Sequence, residues 1–505
     1  MIRTYINRHD LEYYLYAMVK AFMKDAKVLA PDTAEHNVPE LDEPEDEDVL
    51  TVSIEKAKVS ISVVAGLYLT KETSKVYMID VNEAASDNDD AGEDADAKAD
   101  GALKVFVQKV IYQFMVMYTG KELPWGNLTG IRPTKLYLSR LNEGKSRQQA
   151  IDELKELHMV SDEKSELGVS IAEREKAIID GMTANNGYSI YIGIPFCPST
   201  CLYCSFTSNP IFSYKDKVDA YLKSIREELL ATREIMKGRV LDTVYIGGGT
   251  PTALSDKELD QLLSYVMECC DMSAVKEFTV EAGRADSITT EKFEVMRKYP
   301  VTRISINPQT MNDKTLKLIG RHHSAGDVVD AFMKARELGF DNINMDMILG
   351  LPGETIEDIQ YTLDEIKKLS PDSLTVHSLA VKRASRLKQI MDENPLPVSM
   401  DFEKAMDMSI KAADEMGLNP YYLYRQKDMA GNLENTGFAR DGKYGLYNIV
   451  MMEEVQTIVA CGAGTVTKRV YPDGRIERCD NVKDVNLYIS KIEEMIDRKR
   501  QLFAD

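Results

Sequence analysis

Three cysteines stand within eight positions of this 505-residue chain, in the run Cys197-Pro-Ser-Thr-Cys201-Leu-Tyr-Cys204. Three thiolates this close cannot complete a four-ligand zinc site without a distant fourth partner. They can instead bind three irons of a [4Fe–4S] cubane and leave the fourth iron open to another ligand. The spacing therefore predicts a cluster, with a zinc site or unconnected surface cysteines as the alternatives.

An iron left open in this way can be chelated by the amino and carboxylate groups of S-adenosylmethionine (SAM). One low-potential electron then cleaves SAM to methionine and a 5′-deoxyadenosyl radical, which abstracts hydrogen from a substrate. A second motif, Gly247-Gly248-Gly249-Thr250-Pro251-Thr252, follows the next predicted strand. Glycines let backbone amides approach a ligand closely. Alone this turn could be a plain loop, but one βα unit after the cysteines it is expected to bind SAM.

The elements that position these motifs follow a βα rhythm from about residue 188 onward. Amphipathic stretches separate short β-branched or apolar runs, and Ser255 with Glu258 forms a capping box at the start of one of them. Such alternation predicts a parallel sheet, either open and doubly wound or a partial barrel, with its active site at the carboxyl ends of the strands. The predicted strands are 189–194, 243–247, 277–281, 303–307, 343–349 and 373–379.

Three regions are expected along the chain. Residues 1–180 form an α+β domain, residues 181–395 the α/β domain with both motifs, and residues 396–505 a mixed C-terminal extension on the substrate side. The net charge of −20 comes mainly from two acidic segments, 39–48 and 83–100, which hold seven acids and eight acids with one lysine. Both are expected to be solvated, flexible loops in the first domain.

Composition excludes several classes of protein. The first residues have no basic segment followed by an apolar run, and no stretch approaches eighteen consecutive apolar residues. We therefore expect a cytoplasmic protein without membrane insertion. The acidic balance disfavours nucleic acid as a partner. The cysteines outside the motif are expected to be core thiols. His322 and His323 are expected at the surface, with a contact to SAM as the alternative.

The motifs YIGIPFCPSTCLYC, VYIGGGTPT and GLPGET resemble those of the oxygen-independent coproporphyrinogen III oxidase family of radical SAM proteins. The resemblance covers roughly residues 188–390. The flanking segments GNLTGIRPTK (126–135) and YYLYRQKDMAGNLENTG (421–437) are similar to the HemZ-type branch of that family. The fold implied is a partial (β/α)6, TIM-like barrel.

The resemblance also implies which residues bind the cofactors. Cys197, Cys201 and Cys204 would hold the cluster. The residues that match the family's SAM contacts are Tyr191, Tyr203, Gly248, Gly249, Thr250, Glu281, Gln309, Arg321, Asp346 and Ala380. No further catalytic side chain is expected beyond the radical itself.

Two departures concern the substrate. Oxidases of the family usually have a further cysteine two positions after the third one, where this chain has Ser205 and Phe206, and a histidine where it has Gly193. A flat, polyanionic macrocycle requires cations beside apolar walls. The candidates are Lys382, Arg383 and Arg386 after the sixth strand, Tyr424, Arg425 and Lys427 after the barrel, and, more weakly, Arg132 and Lys135. A charged helix start and a half-buried edge strand are the alternatives for the first two groups.

The resemblance implies oxidative decarboxylation of coproporphyrinogen III to protoporphyrinogen IX in haem biosynthesis. The alternatives are a haem-binding chaperone with little oxidase activity, or another radical SAM enzyme that modifies tetrapyrroles. The implied partners are a tetrapyrrole substrate and a small electron-transfer protein such as flavodoxin or ferredoxin.

Overall fold

The computed structural model describes two compact units, Met1–Val169 and Ser170–Asp505. No helix in its described residues is both long and apolar enough to cross a bilayer. The described residues are 2–23, 28–29, 48–55, 58–64, 73–78, 93–129, 132–183, 186–206, 208–380, 385–387, 389, 400–425 and 433–504.

The first unit is an α+β unit with a five-stranded sheet in the order β2-β1-β3-β4-β5. Apolar side chains of the first two helices pack with residues of β3 into one core. The elements are β1 (Ile2–Ile6), α1 (Glu12–Phe22), β2 (Val28–Leu29), β3 (Asp48–Glu55), β4 (Lys58–Val64), β5 (Thr73–Met78), α2 (Glu93–Thr119), α3 (Pro133–Asn142) and α4 (Arg147–His158), and α5 (Asp162–Asp180) continues into the second unit.

Helix α2 corrects the expectation of a loop over 83–100, because residues 93–100 form its first two turns. This stretch, EDADAKAD, alternates acids with alanine, the best helix former, and acidic side chains are favourable near the positive end of a helix dipole. Its charge therefore does not prevent helix formation. Residues 39–47 and 83–92 lie outside the described part of the chain.

The second unit is built on an 11-stranded sheet whose central strands are parallel. Their order is β13-β12-β11-β10-β9-β6, so each crossover reaches the neighbouring strand, and the partial (β/α)6 barrel is confirmed. These strands are β6 (Gly187–Ile194), β9 (Val240–Gly248), β10 (Glu277–Gly283), β11 (Arg303–Ile306), β12 (Ile343–Leu349) and β13 (Ser373–Ser378), while β7 (Phe196–Cys197) and β8 (Asn209–Pro210) pair with each other.

Helices connect the parallel strands and cover their outer face. The predicted capping box of Ser255 and Glu258 is present, and Thr355 caps another connecting helix in the same way. The helices are α6 (Val218–Ile235), α7 (Asp256–Cys269), α8 (Thr290–Arg297), α9 (Asp313–Leu318), α10 (Ala325–Glu337) and α11 (Ile356–Leu369).

The barrel strands have two chemically different faces. Alternate residues such as Ile192, Val244 and Val280 belong to the main apolar core with the surrounding helices. The residues between them are mostly polar and bond to one another, as Ser189 does to Thr243 at 2.8 Å. Since successive side chains of a strand point to opposite faces, the barrel interior is lined with polar and aromatic side chains.

The C-terminal region, expected as a mixed extension, adds strands to both edges of the same sheet. On one edge β15 pairs antiparallel with β13 and β14, so β14 runs parallel to β13. On the other edge β16 pairs parallel with β6. The elements are α12 (Phe402–Glu415), β14 (Asn419–Tyr424), β15 (Asn435–Ala439), α13 (Leu446–Glu453), β16 (Thr457–Cys461), β17 (Val466–Val470), β18 (Ile476–Asp480), α14 (Val485–Ser490) and α15 (Ile492–Leu502).

Candidate active site

The three motif cysteines lie just beyond the carboxyl end of β6. Cys197 and Cys201 are 7% and 8% exposed, and Cys204 is half-buried. The Cys197 sulfur lies 3.5 Å from the Thr250 hydroxyl. Burial, with a smaller effect of the nearby Cys204 and Cys201, raises the pKa of the Cys197 thiol to about 11, although the Thr250 hydrogen bond opposes this shift. The three thiols therefore lie close together, and the Cys197 thiol would lose its proton only on binding metal.

These thiols suit a multinuclear cluster better than a single ion. In the described part of the chain, no three His, Cys, Asp or Glu side chains converge closely enough to hold one metal ion. In a cubane each cysteine binds a different iron, so the sulfurs lie farther apart than around one ion. Two buried arginines near Cys201, Arg284 and Arg321, supply positive charge beside the thiolates. The donor set therefore fits a [4Fe–4S] cluster.

The glycine turn after β9 packs directly against the cysteine loop. A Cβ on Gly249 would lie 2.9 Å from the Cys197 sulfur and 2.6 Å from the Phe196 carbonyl oxygen. Gly248 has a φ of +110°, and its Cβ would meet backbone atoms of Ile194 at 2.8 Å. A side chain at either position would push the loop away.

Two amides of this turn donate within the protein, and the expectation that the turn binds SAM stays a prediction. The Gly249 amide donates to the Ile194 carbonyl at 2.7 Å, and the Thr250 amide donates to the Phe196 carbonyl at 2.8 Å. Both donors are satisfied within the protein. The glycines are therefore required for the close approach of two backbone segments, and the turn supports the cysteine loop.

Gly193, at the position of the family's histidine, faces a contact from the C-terminal region. A Cβ on Gly193 would lie 2.5 Å from the Thr465 methyl carbon. Thr465 follows β16, which pairs with β6. A side chain at residue 193 would have to displace the Thr465 methyl group, which favours glycine at this position.

Glu281 lies at the carboxyl end of β10 within a group of tyrosines. The Tyr245 hydroxyl donates a hydrogen bond to the Glu281 carboxylate. The rings of Tyr191, Tyr245 and Tyr447 stack, with centroids 4.5–6.0 Å apart. Burial raises the pKa of Glu281 to about 7, and the Tyr245 hydrogen bond opposes that shift. Glu281 is therefore an acceptor that can change its protonation state near neutral pH.

Asp346 lies in the interior on β12 and has two polar neighbours. The Asn344 amide donates to its carboxylate at 2.7 Å, and His377 Nε2 lies 3.8 Å from it. Although burial raises the pKa of Asp346, His377 and Asn344 lower it overall. The other nitrogen of His377 lies 3.5 Å from the Tyr424 hydroxyl, so His377 faces the barrel interior. Asp346 is thus held as a carboxylate.

Gln309 follows β11 in a backbone conformation that few residues adopt. Its φ is +66°, in the left-handed region that is uncommon for residues other than glycine. Its amide donates to the Asp346 carbonyl at 2.9 Å, and its carbonyl accepts from the Ile348 amide at 2.9 Å. These two hydrogen bonds hold Gln309 beside Asp346 in its strained backbone conformation.

Arg321 connects the cysteine loop with β11. It donates to the Asn307 carbonyl and, at 3.4 Å, to the Tyr203 hydroxyl. Although burial lowers the pKa of Arg321, Tyr203 and Cys201 raise it overall. Arg321 Nε and Asn307 Oδ1 are buried without a hydrogen-bond partner within the described chain. Buried polar atoms normally have partners, and a ligand at this edge could provide them.

The proposed substrate residues fall in different parts of the structure. Arg425 is buried at the end of β14, and Arg386 is exposed. Arg132 and Lys135 lie at the start of α3 in the first unit. Ala380, a predicted SAM contact, is half-buried two residues after β13. Lys382, Arg383 and Lys427 lie outside the described residues.

Sequence reasoning missed three residues at this edge. Tyr245 could have been found from its register, because it pairs with Tyr191 across β6 and β9. His323, expected at the surface, is 7% exposed and lies 3.6 Å from Asp286. Arg284 donates to the Cys201 sulfur at 3.4 Å. No motif indicated the last two, because their contacts come from loops distant in sequence.

Comparison with known proteins places the chain among radical SAM proteins. The Radical SAM superfamily model matches residues 191–366. The oxygen-independent coproporphyrinogen-III oxidase-like protein HemZ of Bacillus subtilis is 40% identical over 402 residues, which cover 79% of this chain and 80% of that protein. The haem chaperone HemW of the same organism is 31% identical over 309 residues, 61% of this chain and 76% of that protein.

A solved structure gives a further likeness. Coproporphyrinogen III oxidase (HemN) from Escherichia coli aligns with a TM-score of 0.49 and 21% sequence identity, over 64% of this chain and 72% of that one. The similarity to HemZ extends well beyond the matched superfamily region and covers most of both proteins. The chain therefore belongs to the HemN, HemW and HemZ family of radical SAM proteins, which use a [4Fe–4S] cluster and SAM.

Proposed function

We propose that this protein is an oxidoreductase that converts coproporphyrinogen III to protoporphyrinogen IX without oxygen, in haem biosynthesis. In this reaction two of the four propionate side chains each lose CO2, a β-hydrogen atom and one further electron, and each becomes a vinyl group. The proposal is supported by the similarity to the oxidase-like protein HemZ over 80% of that protein's length.

The observation that carries the proposal is a buried cation at the edge where Glu281 and Asp346 lie. Because β14 runs parallel to β13, Arg425 follows β14 at the carboxyl edge of the sheet. Its neighbour Tyr424 lies 3.5 Å from His377 on β13. Burial lowers the pKa of Arg425 to about 10, while nearby Glu434 opposes that shift. Arg425 stays charged near neutral pH and can attract a substrate carboxylate.

Each proposed cofactor residue has a definable task. Hydrogen-atom abstraction from the substrate is the chemistry that the cluster and SAM supply when bound. Cys197, Cys201 and Cys204 would hold the cluster, and Glu281 and Asp346 would accept hydrogen bonds from SAM hydroxyl and amino groups. The further predicted SAM contacts are Tyr191, Tyr203, Gly248, Gly249, Thr250, Gln309, Arg321 and Ala380.

The reaction needs an electron donor, for which we propose a small protein such as flavodoxin or ferredoxin. Phe206, two residues beyond Cys204, is 73% exposed, and Phe212 is 68% exposed. Exposed aromatic side chains are frequent in protein interfaces. They support a docking position near the cysteine loop.

Turnover under anaerobic conditions tests the proposal. The protein is reconstituted with iron and sulfide and then given SAM, dithionite and coproporphyrinogen III. We expect harderoporphyrinogen and protoporphyrinogen together with 5′-deoxyadenosine. Cleavage of SAM without any change in the porphyrinogen would contradict the substrate assignment while leaving the radical SAM assignment intact.

Arg425 provides a variant test of the substrate site. Arg425→Ala is expected to weaken porphyrinogen binding at least tenfold, as for a lost charge-assisted hydrogen bond, and to leave uncoupled SAM cleavage unchanged. Arg440→Ala is the matched control. Arg440 follows β15 at the amino ends of the parallel strands, away from the proposed site, and bonds to Ser370. If both variants bind the porphyrinogen equally well, Arg425 is not part of the substrate site.

A haem-handling role is the second candidate, favoured by two observations. The chain is 31% identical to the haem chaperone HemW, and it has Ser205 and Phe206 where the family's oxidases have a further cysteine. Tight, stoichiometric haem binding with no turnover of coproporphyrinogen III in the same preparation would favour this role over the oxidase.

A further inference from the structure

A buried arginine outside the predicted SAM contacts holds the cysteine loop in place. Arg284 follows β10 and is 3% exposed. It donates from Nη1 to the Ser199 carbonyl at 2.8 Å and to the Cys201 sulfur at 3.4 Å, and from Nη2 to the Ser199 hydroxyl at 3.0 Å. It thus makes three contacts with one loop.

The Asp286 carboxylate fixes the orientation of the Arg284 guanidinium. Asp286 accepts two hydrogen bonds from Arg284, one from Nε at 2.9 Å and one from Nη2 at 2.6 Å. The two side chains are 4% and 12% exposed. Such a bidentate pair fixes the plane of the guanidinium, so the Nη1 group stays directed at the Cys201 sulfur. His323 also lies near Asp286, with its Nδ1 at 3.6 Å from the carboxylate.

Hydrogen bonds to the sulfur ligands of an iron–sulfur cluster help to set its reduction potential. A positively charged donor stabilises electron density on the sulfur, and the reduced cluster carries one more electron than the oxidised cluster. A cation bonded to Cys201 therefore favours the reduced form. Burial strengthens this effect, because little water screens the charge.

We propose that Arg284, held by Asp286, raises the reduction potential of the cluster through its hydrogen bond to the Cys201 sulfur. It is a positioning residue, because it acts through a cluster ligand and not on the substrate. This inference rests on the family's cluster and is independent of whether the substrate is coproporphyrinogen III.

The test is a redox titration of reconstituted protein, followed by the visible absorbance and the electron paramagnetic resonance signal of the cluster. Arg284→Gln is expected to lower the ratio of reduced to oxidised cluster about tenfold at a fixed solution potential, which is ~59 mV for a one-electron couple. Arg336→Gln is the matched control. It breaks another arginine–aspartate pair, with Asp372, at the start of β12 and away from the cysteines.

The outcomes separate this role from a purely structural one. If Arg284 only supports the cysteine loop, Arg284→Gln would lower the melting temperature of the metal-free protein but leave the reduction potential of any assembled cluster unchanged. That result would overturn the proposal. If Arg284→Gln assembles no cluster, Arg284→Lys is titrated instead, since it keeps the positive charge but cannot reproduce the planar fork that directs Nη1 at the Cys201 sulfur. A lowered potential in that variant supports the proposal, and a wild-type potential overturns it.

Discussion

The two ends of the barrel interior differ in how their polar side chains are satisfied. On β10, Glu277 and Glu281 lie four residues apart on the same face. Both oxygens of Glu277 accept backbone hydrogen bonds, from the Leu446 amide at 2.6 Å and the Tyr447 amide at 3.2 Å. For Glu281 the structure shows a hydrogen bond from Tyr245 to one oxygen only.

The next strand repeats this difference. At the start of β11, Arg303 donates to Asn342, Lys443 and Ser373 at 2.8–2.9 Å. Just after the end of β11, Asn307 Oδ1 is buried without a partner among the described residues. At the amino end the charged groups of Glu277 and Arg303 are bonded, whereas at the carboxyl end Asn307 and Arg321 keep unused hydrogen-bonding capacity among the described residues. Stability therefore depends mainly on the first end, and ligand binding on the second.

The largest expected effect is the loss of function at the carboxyl end. Cys201→Ala removes one of three cluster ligands, so we expect cluster assembly and SAM cleavage to be abolished, measured as bound iron and as 5′-deoxyadenosine formed. The matched control is Cys479→Ala on β18, a half-buried cysteine outside the motif, which should retain both. SAM cleavage by Cys201→Ala would refute the cluster assignment.

At the amino end, we expect a comparably small substitution to lower the unfolding free energy of the protein. Glu277→Gln replaces one of two acceptor oxygens by an NH2 group, so the Leu446 or the Tyr447 amide loses its buried acceptor. An unsatisfied buried donor costs about 1–3 kcal/mol in unfolding free energy. We expect this loss in urea unfolding of the metal-free protein at pH 8. A destabilisation below about 1 kcal/mol would show that the amino end is not the stabilising network described above.

Much of this arrangement could be predicted from alternation along the strands. Polar residues recur at every second position of β10 and β12, and a parallel sheet brings their carboxyl ends to one edge. The resemblance to the family identified Glu281 and Asp346 as SAM contacts, and they lie on β10 and β12 of that sheet. Their role in SAM binding stays a prediction. Local patterns also gave the capping box at Ser255.

What could not be predicted depends on contacts distant in sequence. Thr465 fills the space beside Gly193, more than 250 residues away, because β16 pairs with β6. The amides of Gly249 and Thr250 were expected to face a ligand, but the cysteine loop supplies their acceptors. Neither register nor loop packing has a signature in a single sequence, since both depend on how the C-terminal strands join the sheet.

A smaller effect concerns the ionisation of Glu281 at the carboxyl end of β10. The pKa of Glu281 in the folded protein is about 7, above its ordinary value of 4.5. The stability that its neutral form provides is fully present below pH 4.5 and is lost as the pH rises through 7. The substituted side chain of Glu281→Gln is neutral at every pH. Raising the pH from 5 to 8 should therefore increase the unfolding free energy of this variant, relative to that of the metal-free wild type, by about 1–3 kcal/mol.

Urea unfolding at both pH values measures this difference. Glu337→Gln is the control, because Glu337 is a highly exposed partner of Lys334 on α10 and should show no such trend. A difference that is independent of pH would mean that Glu281 ionises normally. The carboxyl end would then be as well solvated or as well paired as the amino end.

The smallest expected effect concerns single hydroxyl groups in the tyrosine stack. Tyr245→Phe keeps the ring but removes the hydrogen bond to Glu281, so SAM should bind about fivefold more weakly, as for one lost hydrogen bond. Tyr299→Phe is the control, because it also removes one tyrosine hydrogen bond, to Asp260, outside the predicted SAM contacts. Equilibrium binding of SAM to the reconstituted variants measures both effects. If the two variants bind SAM equally, Tyr245 does not orient Glu281, and the unused capacity of the carboxyl end would have to be attributed to Asn307 and Arg321 alone.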